Sequence, residues 1–391
     1  MPVLTRLIPS PVVVDIRAGA LDDLASVLAD QRISSSGKLA VAISGGSGAV
    51  LRERLAPALP GASWYEVGGG TLDDAIRLAD DMKSGRYDAV VGLGGGKIID
   101  CAKFAAARIG LPLVAVATNL SHDGLCSPVA TLDNDAGRGS YGVPNPIAVV
   151  IDLDVIRQAP VRFVRSGIGD AISNISSVAD WELSHRVTGE AIDGLAAAMA
   201  RQAGEAVLRH PGDVNDDGFL QVLAEGLVLT GISMSVAGDS RPASGACHEI
   251  NHAFDLLYPK RAAPHGEQCG LGAAFAMHLR GAAAESALMV EVLRRARPAR
   301  TGRGHRLHRR GVRQGRGVRS ADPPRALHDP GAPRPLHRPD QGRIRRLCTN
   351  RQSLNSARSC TPRVSRTGAA VSTGRAACTC GRSRCGWTVT W

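Results

Sequence analysis

Aromatic residues are scarce. Phe, Trp and Tyr make up 3% of the 391 residues, while hydrophobic residues as a whole reach 44%. A core of this composition is aliphatic and rich in alanine, and the length allows two domains. No apolar run reaches the roughly 20 residues that span a bilayer, so no membrane partner is expected. The N-terminus, Met1-Pro2-Val3-Leu4-Thr5-Arg6, lacks the charged-then-apolar layout of a secretory leader, and the expected location is cytoplasmic. Cysteines in metal-type spacing are lacking as well. Cys101, Cys126, Cys247 and Cys269 are scattered, and in a cytosolic chain they read as buried free thiols rather than disulfides.

Lysine is absent from Glu291 to Trp391, where 24 Arg stand against 4 acidic residues. The first 290 positions hold 23 basic and 32 acidic residues, so the net charge of +11 joins an acidic body to a basic tail. The basic balance therefore does not make the body a nucleic-acid binder, and such a partner is not expected for it. Past Arg295 the chain is rich in Arg, Pro, Gly and His without hydrophobic periodicity, and an irregular tail is expected over 296–391. Three readings apply to it: a basic arm binding nucleic acid, a Cys knuckle at Cys378, Cys380 and Cys385, or a stretch translated out of frame. The knuckle spacing matches no standard zinc pattern.

The body belongs to the α/β class. Up to about residue 158, short β-branched runs alternate with Ala/Leu-rich amphipathic stretches, the pattern of a Rossmann-like parallel-sheet domain. Strands are expected at Lys38–Ile43, Tyr87–Val91, Leu113–Ala117 and Ile147–Asp152. Thr71-Leu72-Asp73-Asp74 reads as a capping box opening a helix to about Met82, and another helix runs from about Ile98 to Ile109. From 159 to 295 the apolar residues recur at three- and four-residue spacing, as in Gly194–Arg209 and Phe219–Ala237, which predicts an all-helical second domain.

Three constellations carry chemistry. Gly94-Gly95-Gly96-Lys97 lies between a buried strand and a helix, where bare backbone and a helix N-terminus can cradle a pyrophosphate, although a plain tight turn has the same composition. Gly45-Gly46-Ser47-Gly48 is a weaker second loop of this kind. No acidic residue stands at that strand end to hold a ribose hydroxyl, so NAD and NADP both remain open. Asp170, His248, His252 and His265 form the second constellation. Ser166-Gly167-Ile168-Gly169-Asp170 places the carboxylate at the entrance to a helix, His248 and His252 share one helical face, and His265 opens another helix. Two imidazoles and a carboxylate suit a catalytic divalent ion with an open position, though each His taken alone reads more readily as a hydrogen-bonded helix histidine. The third is Thr118-Asn119-Leu120-Ser121-His122-Asp123-Gly124, directly after a strand, where ligand contacts collect in open α/β sheets; an Asx turn at Asp123 accounts for the same letters.

Five segments, GGGKIID at Gly94–Asp100, SHDGLCSP at Ser121–Pro128, GIGDAISN at Gly167–Asn174, SRPASGACHEINHAFD at Ser240–Asp255 and PHGEQCGLG at Pro264–Gly272, stand in the order found in the iron-containing alcohol dehydrogenase and glycerol dehydrogenase superfamily. From about residue 10 to 290 the chain resembles this superfamily, and within it the sn-glycerol-1-phosphate dehydrogenases. The resemblance implies metal ligation by Asp170, His248 and His265, with zinc, iron or nickel as the ion. It implies substrate contacts from Asp123, Asp170 and His252, with His252 also relaying a proton. Gly94, Gly95, Gly96, Lys97, Ile98, Thr118, Asn119, Leu120, Ser121 and Ser127 would hold NAD or NADP. The implied reaction interconverts dihydroxyacetone phosphate and sn-glycerol 1-phosphate, in a homo-oligomer. Arg241 is the candidate for the substrate phosphate. Glycerol dehydrogenase activity, with the same metal triad, is the alternative; dehydroquinate synthase shares the fold but carries a glutamate where Asp170 stands.

The resemblance also favours the third reading of the tail, an inactive frame-shifted product, because the family continues as helices where Pro323–Pro335 reads PPRALHDPGAPRP. With GC-rich codons, Leu327–Pro333 read one nucleotide later gives Tyr-Thr-Ile-Leu-Glu-His-Leu. Sequencing the coding DNA tests this: a neighbouring frame past Arg295 is expected to encode amphipathic helices, and the idea fails if none does.

Overall fold

The computed structural model describes residues 8–135 and 137–296. Strands form where β-branched and alanine residues run together between glycine-bearing turns. They are β1 (Val13–Arg17), β2 (Leu39–Ser44), β3 (Ala62–Val67), β4 (Ala89–Gly94), β5 (Leu113–Ala117), β6 (Val129–Asn134), β7 (Gly137–Gly142) and β8 (Ala148–Asp152). Six of them make one parallel sheet in the order β1-β8-β5-β4-β2-β3, while β6 and β7 form a separate antiparallel hairpin. Helices α1 (Leu24–Leu28), α2 (Ser47–Leu55), α3 (Leu72–Met82) and α4 (Gly96–Ile109) cross between the strands. The cap of α3 is the expected one: the Thr71 hydroxyl accepts from Asp74 N–H and the Asp74 carboxylate accepts from Thr71 N–H.

The strand order reverses between β2 and β4. Their adjacent C-terminal ends form a topological switch point, the crevice where open α/β sheets take ligands. Both glycine loops, at residues 45–48 and 94–97, emerge there. Alternate residues of the strands feed opposite faces of the sheet: Val91 packs with Leu24, Leu28 and Leu55, and Val90 with Leu78, Met82 and Cys101.

After β8 the described chain is helical: α5 (Leu153–Gln158), α6 (Val161–Thr188), α7 (Gly194–Arg209), α8 (Asp217–Ala237), α9 (Ala246–Leu257), α10 (His265–Leu279) and α11 (Ala283–Arg295). Their core is continuous with the sheet, since Ala115, Val149 and Ile151 pack in the same cluster as Ile168, Leu227 and Met277. Helix α8 is long and apolar enough by composition to cross a bilayer, a length the apolar runs in the sequence understate. Instead 67% of its most apolar window is buried in the fold. The tail beyond Ala296, with its arm, knuckle and frame-change readings, lies outside the described residues.

Asp170 is not at a helix entrance. It lies in the interior of the 28-residue α6, and the glycines before it serve close packing rather than capping. A Cβ on Gly167 would come within 2.2 Å of the Leu120 carbonyl oxygen, and one on Gly169 within 2.1 Å of the Gly266 carbonyl oxygen. Helices α6 and α10 cross at these bare backbones. Gly169→Ala should therefore lower stability by about 1–3 kcal/mol through overpacking against rigid backbone. Calorimetric unfolding checks this, with Gly194→Ala, where nothing lies within 4 Å of the added methyl, as the neutral control.

Candidate active site

The close crossing of α6 and α10 sets the site. Asp170 projects from α6 and is 4% exposed, and His265 opens α10 with its Nε2 3.5 Å from Asp170 Oδ1. Helix α9 starts where Ala246 N–H donates to the Asp180 carboxylate of α6, which puts His248 in its first turn. The His248 and His265 rings meet edge to face with centroids 5.2 Å apart. Asp170, His248, His265 and Cys269 each bring one donor atom to within 4.8 Å of the others. A buried carboxylate and two imidazoles converging this closely fit a divalent ion. Together with one thiol they form a donor set that suits zinc at least as well as iron.

Cys269 is the member the sequence reading passed over. It follows His265 by one helical turn, and that i, i+4 spacing was the available signal. Its thiol is buried, and burial pushes it up to about 12. Burial and the neighbouring His248 hold His265 well below the usual imidazole range, while the adjacent thiols of Cys269 and Cys247 raise His248. The amide Nδ2 of Asn251 stands 3.1 Å from Nδ1 of His265, and the Gln268 amide in turn donates to Asn251 Oδ1 at 3.0 Å. With the Asn251 amide donating to Nδ1, Nε2 carries the ring proton in this metal-free site and faces Asp170. His252, one turn beyond His248, is exposed and outside the four-residue cluster.

The loop after β5 carries Asp123 to the same place. Its backbone N–H donates to Asp170 Oδ2 at 2.8 Å, so both oxygens of the Asp170 carboxylate face polar partners. Burial and the nearby Asp170 push the Asp123 carboxyl up to about 8. His122, also unassigned from the sequence, accepts from Gly124 N–H at 2.9 Å through Nδ1, and burial lowers its pKa.

The dinucleotide candidates divide into two groups. Gly95 and Gly96 are bare backbone at the N-terminus of α4, with Asn119 and His122 directly over them. An added Cβ would come within 2.4 Å of Asn119 Nδ2 and 2.1 Å of His122 Nε2. Asn119 Oδ1 is buried without a hydrogen-bond partner, which leaves an unmet acceptor in this cradle. Thr118 is tied to the loop by its N–H bond to the Gly94 carbonyl, Ser121 is partly exposed, and exposed Lys97 points Nζ toward the Gly69 carbonyl at 3.4 Å. Ile98, Leu120 and Ser127 are buried. On β3, Glu66 reaches the Gly45 loop, where a Cβ on Gly45 would come within 2.4 Å of its Oε1. A carboxylate is thus present at that strand edge, contributed by the neighbouring strand in the sheet rather than by the next residue in sequence. Arg241, the phosphate candidate, is paired with a carboxylate. It is bound through Nε and Nη2 to Glu190, beyond the C-terminal end of α6, some 20 residues past Asp170 along that helix direction.

Residues 15–160 match the family model described as iron-containing alcohol dehydrogenase. The glycerol-1-phosphate dehydrogenase [NAD(P)+] of Hyperthermus butylicus is 35% identical over 279 residues, covering 70% of this chain and 79% of that protein. The chain belongs to the iron-containing alcohol dehydrogenase family. Family relatives of the same name from Methanospirillum hungatei (41% identical, 54% of this chain) and Methanothermobacter thermautotrophicus (39%, 56%) are matched over 59% and 65% of their own lengths. The chain thus spans about three fifths of these curated relatives. In fold, the chain is similar to a probable glycerol dehydrogenase from Sinorhizobium meliloti 1021, with a TM-score of 0.62 at 24% identity, covering 74% of this chain and 83% of that one.

If the amide chain orients the metal cluster, Asn251→Leu should weaken divalent-metal affinity about 10- to 100-fold. Competition with a chromogenic chelator measures this, and unchanged affinity would exclude the orienting role.

Proposed function

We propose that this chain is a metal-dependent, NAD(P)-linked dehydrogenase interconverting dihydroxyacetone phosphate and sn-glycerol 1-phosphate. The observation that carries the reading is the convergence of Asp170, His248 and His265 beside Asp123, on a loop that also walls the glycine cradle of α4. The names of the relatives support the substrate. In this reading residues 1–158 form the dinucleotide domain and 159–295 the metal and substrate domain; the protein is cytoplasmic and assembles as a homo-oligomer.

Asp170, His248 and His265 would hold the ion, and the Gly94–Lys97 loop with Thr118, Asn119 and Ser121 would hold the dinucleotide. The chemistry these groups supply when bound is Lewis acidity toward the substrate oxygen and a hydride for its carbon. The chain's own residues bind, orient and shuttle protons. Asp123, beside Asp170 on the loop after β5, would hydrogen-bond a substrate hydroxyl. His252, exposed and one turn from His248, is placed to pass a proton between the site and solvent. Neutral His265 keeps a second positive charge out of the cluster.

Adding dihydroxyacetone phosphate with NADH or NADPH should give oxidation of the cofactor that a chelator abolishes and zinc restores. Oxidation insensitive to chelator, or none with this substrate but some with glycerol, would overturn the assignment.

A further inference from the structure

Among the described residues the largest fully buried side chain is a lysine, Lys103 on α4. Taking an ammonium out of water is costly, and an apolar side chain of the same volume would fill the space at least as well. Packing alone therefore does not account for it. The lysine follows the Gly95–Gly96 cradle by two turns of the same helix. Its Nζ donates to the carbonyl of Gly124, to the carbonyl of Val129 at 2.8 Å and to Ser127 Oγ at 3.4 Å. Three donors meet three acceptors, two on the loop after β5 and one at the first residue of β6. The countercharge comes from Asp100, one turn earlier on α4, whose Oδ1 lies 3.7 Å away and has no hydrogen-bond partner of its own.

The loop is held at further points. The His122 ring covers Gly96, Asn145 Nδ2 donates to the Cys126 carbonyl at 2.8 Å, and bare Gly231 of α8 presses on the Cys126–Ser127 peptide. Asp123 lies directly between the His122 contact and the Gly124 carbonyl that Lys103 grips. We propose that Lys103 is a positioning residue: its buried ammonium clasps the 122–129 loop to the helix that bears the dinucleotide cradle, and so fixes Asp123 beside Asp170 for the substrate. This rests on the reading of Asp123 as a substrate-binding residue.

Two variants of the full chain test it, Lys103→Met and the double change Lys103→Met with Asp100→Asn, which leaves no unpaired buried charge. Amide hydrogen exchange over 121–129 should rise about tenfold or more in both, as expected for loss of charge-assisted hydrogen bonds, while α8 keeps its protection. KM for dihydroxyacetone phosphate should rise about tenfold or more, with kcat changed less and NADH affinity unchanged. Unchanged exchange over 121–129 in both variants would overturn the proposal. So would a rise shared equally by α8 in the double variant, the mark of a purely structural role. Should the unaltered chain leave dihydroxyacetone phosphate untouched, the function proposed above falls, and the exchange comparison still decides the clasp.

Discussion

The hydrogen bond from Asp123 N–H to the Asp170 carboxylate joins the two halves of the site. It runs 2.8 Å from the loop after β5 to the middle of α6, between residues 47 apart in sequence. On one side of it lies the crevice of the parallel sheet, with its bare glycines. On the other lies the cluster of Asp170, His248, His265 and Cys269. Asp170 is nearly buried, and a carboxylate there is tolerable only if its oxygens are met by donors or cations. The Asp123 amide meets one and the His265 edge faces the other. The same burial is what raises the carboxyl of Asp123.

Small residues make that bond possible. Helix α6 passes the Leu120 carbonyl at Gly167 and the Gly266 carbonyl at Gly169, and α10 approaches the Gly169 Cα at Gly270, each too closely for a side chain. With alanine at these positions the helices would stand farther apart, and the carboxylate would leave both the loop and His265. The Arg165–Glu267 pair, 2.6 Å apart and mostly sheltered, bridges the same crossing one residue beyond Gly266. Stability and site geometry thus depend on the same contacts, which places the cluster on rigid elements.

Much of this was legible in the letters. The capping box at Thr71, the strand at Leu113–Ala117, the helix at Gly194–Arg209 and the helix start at His265 all stand where local pattern put them, because each is set by neighbours in sequence. The β6–β7 hairpin was not legible, since Val129–Asn134 and Gly137–Gly142 lack a clean alternation of apolar residues. Asp170 was read at a helix entrance because Gly-Ile-Gly resembles a break; only the partner backbone of α10 shows that the glycines are there for contact. Glu66 and Lys103 meet neighbours 20 or more residues away, so no linear motif marks them, whereas Cys269 carries the one-turn spacing from His265. The pairing of Arg241 with Glu190, 51 residues away, has no local signal.

If the glycine cradle and the four-residue cluster serve one reaction, a bound dinucleotide has its nicotinamide end nearer the cluster. Proton NMR of NAD+ bound to the protein loaded with paramagnetic Co2+ tests this directly. The account predicts strong relaxation of the nicotinamide ring protons and much weaker relaxation of the adenine protons. Equal effects on both rings, or a stronger effect on adenine, would contradict it.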